Sequence, residues 1–363
     1  MARARKKIIV FLILLLLAGF GHYFVVVYAR TFVLEALRET GKYPATVGSF
    51  QGIIPIGRVW GKDLRFMTRM EDQGIQWELP DFNVNLAFLS YVRDRIHIQS
   101  LEAPAANWST TLPTGWKVDG KLDISGSSSG QAPAILTAES IWCQNLDLAW
   151  RDVQVEIKGK KQPLIHQASL DLSPFSLKKT DLFPVPFDFH GKVLLTDQPG
   201  SPQVLFSGHH VTAEKHLQAD IRVLDLQVPV LEKYLAIAGQ APQFPKIRAS
   251  DWIRSGSFSV HLTADSRLPT IQGTLTLRLK GVQFGPKISQ SKEVAENISP
   301  ILESFQKRED TVQLGPIEFK ENLLTRDGEA FQQIQRGLIA EVIKNDPGAA
   351  IQSGVNLLRN FFK

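Results

Sequence analysis

Between about Ala45 and Gly285 the sequence keeps returning to one pattern, an apolar residue followed by a polar one. In IQGTLTLRLKGVQFG, residues 271–285, Ile271, Leu275, Leu277 and Leu279 share one parity, with Thr274, Thr276, Arg278 and Lys280 between them. Period two is the mark of a strand with one greasy and one wet face. After Gly281 the apolar parity passes to Val282 and Phe284, which predicts a bulge at the glycine. The pattern recurs at Phe82, Val84, Leu86 and Phe88, and again at Phe187, Phe189, Val193 and Leu195. It returns at Leu217, Ala219, Ile221 and Val223, then at Phe258, Val260 and Leu262. One-sided strands punctuated by Gly, Pro, Asn and Asp predict a mainly β chain built on an extended antiparallel sheet. Helical periodicity within this span is confined to PVLEKYLAIAG at 229–239.

A different texture bounds the strands on both sides. From Ile8 to Ala29 run 22 residues without a formal charge, roughly 33 Å of helix, about the thickness of a hydrocarbon core. Arg3, Arg5, Lys6 and Lys7 precede the run, so the expectation is an uncleaved transmembrane anchor with its N-terminus in the cytoplasm. A cleaved signal peptide is the alternative; the apolar run is too long for a usual h-region and no A-x-A-like site follows. The helix continues through RTFVLEALRETG to a glycine C-cap at Gly41. At the other end, KEVAENISPILESF (292–305), GEAFQQIQRGLIAEVIKN (328–345) and GAAIQSGVNLLRNFFK (348–363) carry apolar stripes at helical spacing. These stripes predict a helical C-terminal tail, packed on its own domain or laid on a membrane. The domain expectation is therefore a basic stub at 1–7, an anchor at 8–29, a β-domain at 30–290 and a helical region at 291–363. SGSSSGQ at 125–131 is either a subdomain boundary or the tip of a long hairpin.

Composition narrows the function. The net charge is +5, and the four basic residues before Ile8 leave the rest of the chain near +1, so no basic face remains for nucleic acid. A single cysteine, Cys143, rules out an intramolecular disulfide. There is no Walker loop, GxGxxG, GxSxG or HExxH, and no catalytic residue, cofactor or metal site is expected. His209, His210 and His216 form the densest histidine group, within GHHVTAEKH, which reads as a surface hairpin turn. NWS at 107–109 and NIS at 297–299 fit a glycosylation pattern that matters only in a eukaryotic secretory pathway. The chain is not expected to be an enzyme.

The order of features resembles the AsmA-like superfamily of Gram-negative envelope proteins. The resemblance rests on the anchor, the short helix after it, ATVGSFQGIIPIGRVWGKDLRF, and WELPDFNVNLAFLSYVRDRIHIQSLEAPAANWS, where Ile96, Ile98, Leu101 and Pro104 occupy the family's "i-x-s-l-x-a-p" pattern. VLDLQVPVLEKYL and SGSFSVHLTADSRLPTIQGTLTLRLKGVQFG are similar to the family's closing module. The match runs over roughly residues 8–285 and uses loose hydrophobic patterns, with no catalytic residues to carry over. It implies a membrane-tethered, taco-like sheet whose hydrophobic groove handles lipid. The expectation is a single-pass inner-membrane protein, its bulk in the periplasm, that binds or transfers membrane lipids and contributes to envelope homeostasis. The alternative is a structural or assembly component of the envelope, such as a secretion-system subunit with envelope protein partners. The candidate groove residues are Phe82, Val84, Leu86, Phe88, Leu217, Ile221, Phe258, Val260, Leu262, Leu275, Leu277 and Leu279. Alternation alone gives the same pattern for an open groove and for a closed core.

Overall fold

The computed structural model describes residues 23, 26–31, 33–35, 37–38, 44–53, 57–70, 73–87, 95–129, 140–178, 184–197, 201–240, 253–284, 311–322 and 329–345. The architecture is mainly β and almost wholly antiparallel, as the alternation predicts. The chain divides into two compact units, residues 1–163 with 171–185, and residues 164–170 with 186–363. The division does not fall at SGSSSGQ. Ser125, Gly126 and Ser127 end one long strand, and Ser127 faces Asn145 of the antiparallel strand that follows.

Unit 1 opens with α1, helical at 26–31, 33–35 and 37–38, which continues toward the sheet as the sequence predicts. Among the described residues no helix is long and apolar enough to cross a membrane. The expected anchor lies outside the described residues except at Tyr23 and residues 26–29, where Tyr23, Val27 and Tyr28 are exposed. Strands β1 (Ser49–Ile53), β2 (Arg58–Met70), β3 (Gln73–Leu86), β4 (Arg95–Thr111) and β5 (Lys117–Ser127) pair in sequence order. The short β6 (Ser140–Cys143) runs parallel to the start of β4, and β7 (Asn145–Ile157) returns antiparallel to β5. β8 (Lys160–Ser173) follows, and β9 (Phe175–Lys178) pairs with β6.

Strands this long need relief from accumulated twist, and bulges supply it. Ala105 sits at φ 54°, where the β4–β5 register shifts, and its N–H is taken by Asp123 Oδ1 at 2.7 Å. The shift lets Ala103 and Ala106 both turn inward, 1% and 0% exposed. Apolar residues then align across the strands. Val59, Val84, Leu101, Gly126 and Leu146 form one row, and Phe66, Trp77, Trp108 and Gly120 another. Val47, Leu64, Phe82 and Ala103 are the buried cluster on this face, and Leu34 and Leu37 of α1 pack against it.

Unit 2 contains β10 (Phe187–Leu194), β11 (Gln203–Val211), β12 (His216–Gln227), β13 (Ile253–Arg267), β14 (Thr270–Phe284) and β15 (Val312–Asn322), each antiparallel to the next. Helix α2 (Val228–Ala238) follows β12 within a residue of the expected span, with proline in its first turn, where a missing N–H costs nothing. Its Tyr234 hydroxyl donates to the carbonyls of Leu164 and Leu195. The predicted bulge is present: Gly281 has φ 58°, and the β13–β14 register breaks around Ser255.

The expected helical C-terminal region needs correction. Residues 312–322 form β15 and pair with β14, from Leu279 opposite Val312 to Thr270 opposite Asn322. Val312, Leu314, Ile317 and Phe319 are buried there. Gly315–Pro316 interrupts the alternation, and the register shift between Leu275 and Leu277 absorbs the extra residue. Helix α3 (Glu329–Asn345) is as expected, while 292–305 and 348–363 lie outside the described residues. α3 closes on β15 so tightly that a Cβ on Gly337 would stand 2.2 Å from Ile317 Cγ2. Gln333 Oε1 accepts the Lys320 backbone N–H at 2.6 Å, so an outward-facing donor of the strand is satisfied by a side chain.

Candidate functional site

Paired residues of an antiparallel sheet point to the same face, so the registers of unit 2 assign every side chain to one of two surfaces. Gly191, Phe206, Ile221, Leu262, Leu275 and Ile317 stand opposite one another across all six strands. Val193, Val204, Val223, Val260, Leu277 and Leu314 form the adjoining row. Leu226, Phe258, Leu279 and Val312 extend it past the β12 bulge. At about 4.8 Å per strand the apolar face is roughly 24 Å wide, and its β15 edge, at Val312, Leu314 and Ile317, is buried. Eight candidate residues meet on it: Leu217, Ile221, Phe258, Val260, Leu262, Leu275, Leu277 and Leu279. Leu217, at the hairpin end, is 39% exposed, and the other seven are half-buried.

Unit 1 places its candidates differently. Phe82 is 9% exposed inside the buried cluster, and Val84 packs against that cluster. Phe82 is thus enclosed beside α1, while Val84 is half-buried at the margin of the cluster. Leu86 is half-buried opposite Ile98, and Phe88 lies outside the described residues.

Sequence reasoning missed how the apolar face is paved. Three of its glycines face phenylalanines directly across a strand pair: Gly191 with Phe206, Gly208 with Phe189, and Gly273 with Phe319. Each ring leans over its glycine, so that an added Cβ would meet the ring tip at 2.3, 2.5 and 2.8 Å respectively. In unit 1, Gly61 and Phe82 repeat the arrangement, at 2.6 Å. Glycine inside a strand is otherwise a liability, and cross-strand aromatic cover offsets it. The result is a floor of rings lying low where upright side chains would otherwise stand.

The opposite face of unit 2 is polar and paired. His209 Nδ1 lies 2.8 Å from Asp188 Oδ1, His216 Nε2 is 3.1 Å from Asp265 Oδ1, and His261 Nε2 is 2.9 Å from Asp220 Oδ2. A hydrogen bond from Arg222, joined by one from His261, holds the Asp220 carboxyl below the usual carboxylate range. The Gln218 amide, followed by His216, does the same for Asp265. A cavity of about 1200 Å³ is lined by Asp188, His209, Asp220, Asp265 and Lys320 of this face together with Phe189, Gly208, Gly273 and Phe319 of the apolar rows. The histidine segment is a hairpin, as the sequence predicts, with His210 on the apolar face against Phe187 and His216 on the polar one. Among the described residues no group of three or more His, Cys, Asp or Glu is placed to hold a metal ion. Asn107 of the NWS pattern is exposed within β4. Near the start of β4, burial lowers the His97 pKa, and its ring stands edge-on to Trp142 at 4.7 Å. Burial also raises the Cys143 thiol.

No family model matches the chain, and neither a curated protein nor a solved structure matches it.

Proposed function

We propose that this chain is a membrane-tethered lipid-binding protein of AsmA-like type, in which the apolar face of unit 2 accepts acyl chains. One observation carries the reading. Eight side chains selected only by their alternation fall on one six-strand face, where seven stay half-buried and Leu217 is exposed. Burying a Leu, Val or Phe side chain fully stabilises by about 1.5–3 kcal/mol, so a half-covered face of this size favours a further apolar cover. An acyl chain is such a cover: it is non-directional, fits a low floor of flattened rings, and asks for no hydrogen-bond partner. The anchor expected at 8–29 would hold the sheet beside a source of lipid, in the inner membrane with the bulk in the periplasm.

Parity gives the test. Photo-crosslinking residues at Leu275, Leu277 and Leu279 in the full chain should capture lipid, and those at Thr274, Thr276 and Arg278 should not. Equal capture on both parities, or none on the leucine parity in a folded protein, overturns the proposal and leaves the structural or assembly role.

A further inference from the structure

The same chemistry that favours lipid on unit 2 is satisfied in unit 1 by the chain itself. Leu34 and Leu37, three residues apart on α1, project from one side of the helix. They pack against Val47, Leu64, Phe82 and Ala103, next to Phe50, Val59, Phe66, Leu79, Val84 and Ile124. All but Val47, which precedes β1, belong to the apolar parity of β1–β5, the counterpart in unit 1 of the surface that carries Leu275 and Leu277 in unit 2. One polar tie reinforces the contact: Arg30 Nη2 donates to the Val47 carbonyl at 3.2 Å. Val27, Tyr28 and Thr31, around that tie, are exposed. Among the described residues, two leucines and one hydrogen bond hold the helix on the sheet, while the sheet holds itself through backbone ladders.

We propose that α1 is a resident plug, an intramolecular competitor that occupies the unit 1 apolar face in place of an acyl chain and yields it to lipid. The inference rests on the lipid-binding reading of the preceding section. The competition is balanced in size. Leu34 and Leu37 are part-buried, so together they contribute less than the about four to seven methylene equivalents that two fully buried leucines would, a fraction of one long acyl chain. A chain lying along the β1–β5 face can therefore replace what α1 contributes. Because α1 is the segment that follows the expected anchor, displacing it opens the face at the end of the sheet nearest the membrane. Phe82, buried in this structure, and the half-buried Val84 then become lipid contacts.

The test uses the full chain in native membranes with a photo-crosslinking residue at Val84 and, separately, at Leu277. With α1 intact, the Val84 probe should give an internal adduct to the α1 segment and little lipid, while the Leu277 probe captures lipid. Replacing both leucines, Leu34→Ser with Leu37→Ser, should raise lipid capture at Val84 about tenfold, the ratio that a loss of 1.4 kcal/mol of helix docking produces, and should remove the internal adduct. Leu34→Met with Leu37→Met should keep the wild-type pattern. Arg30→Met, which removes only the tie to Val47, reads the same change more weakly, even if the serine pair fails to fold. Strong lipid capture at Val84 in the wild type overturns the plug, and so does unchanged capture in both the serine and Arg30 variants. In those two cases capture at Leu277 leaves the lipid-binding reading standing. No capture at either position overturns both.

Discussion

Gly208 offers a sharp test of how the apolar face is built. An alanine Cβ there would lie 2.1 Å from the Gln218 carbonyl oxygen and 2.5 Å from the Phe189 ring tip. The ring can swing, but Gln218 is backbone in the neighbouring strand β12, directly beside His209 in the ladder. Relief therefore requires β11 and β12 to move apart. Overpacking of this kind costs about 1–3 kcal/mol, offset by about 0.4–1 kcal/mol from the stiffer unfolded chain. A net loss of about 1–2 kcal/mol should lower the melting temperature by about 2–8 °C for a unit of this size. Gly74→Ala is the matched control: its nearest contacts would all be on the flexible Met67 side chain, the sulfur at 3.0 Å. It should change stability by less than about 0.5 kcal/mol. Adding Phe189→Leu to Gly208→Ala should restore part of the loss, because the ring clash goes and the carbonyl clash stays. Thermal melts followed by circular dichroism give all four values. A Gly208→Ala protein that melts at or above the wild type, or one fully rescued by Phe189→Leu, refutes the account of backbone contact.

Two further outcomes follow from the charges and the anchor. Asp220 is held below the ordinary carboxylate range by Arg222 and His261. A carboxyl depressed in the folded state stabilises above its unfolded pKa and loses that contribution as pH falls through the folded one. Asp220→Asn should therefore lower stability at neutral pH and shrink the gap to wild type in acid, as read from urea midpoints across pH; a gap that widens in acid refutes the assignment. For topology, a reporter active only outside the cytoplasm should work when fused after Lys363 and fail when fused before Ile8; activity of the Lys363 fusion only in the cytoplasm refutes the anchor.

Much of this architecture is written locally. The alternation at 271–279 assigns Leu275, Leu277 and Leu279 to one face because strand parity is a property of the backbone alone. Gly281 announces the bulge, since few residues other than glycine adopt φ 58° freely. The same logic hid β15. Its apolar residues Val312, Leu314, Ile317 and Phe319 change parity at Gly315–Pro316, and a strict period-two search loses the strand at the bulge that makes it fit. Glycine–phenylalanine pairing was illegible for another reason. Gly273 and Phe319 meet only through the β14–β15 register, and nothing near either residue in sequence announces the other. The fate of Phe82 and Val84 depended on α1 folding back onto the sheet, a tertiary choice that strand alternation does not encode.

An open sheet is a polymer whose growth has to be terminated. Unlike a barrel, it does not finish itself, and each outer strand can template another. At β15 the termination is intramolecular: Gln333 takes the Lys320 N–H, Glu321 takes the N–H of Ala330, and Gly337 lets the helix close down on Ile317. A strand from another molecule can add at that position only after the helix has been unseated. That cost is set within one chain, so the guard is as effective in a crowded solution as at high dilution.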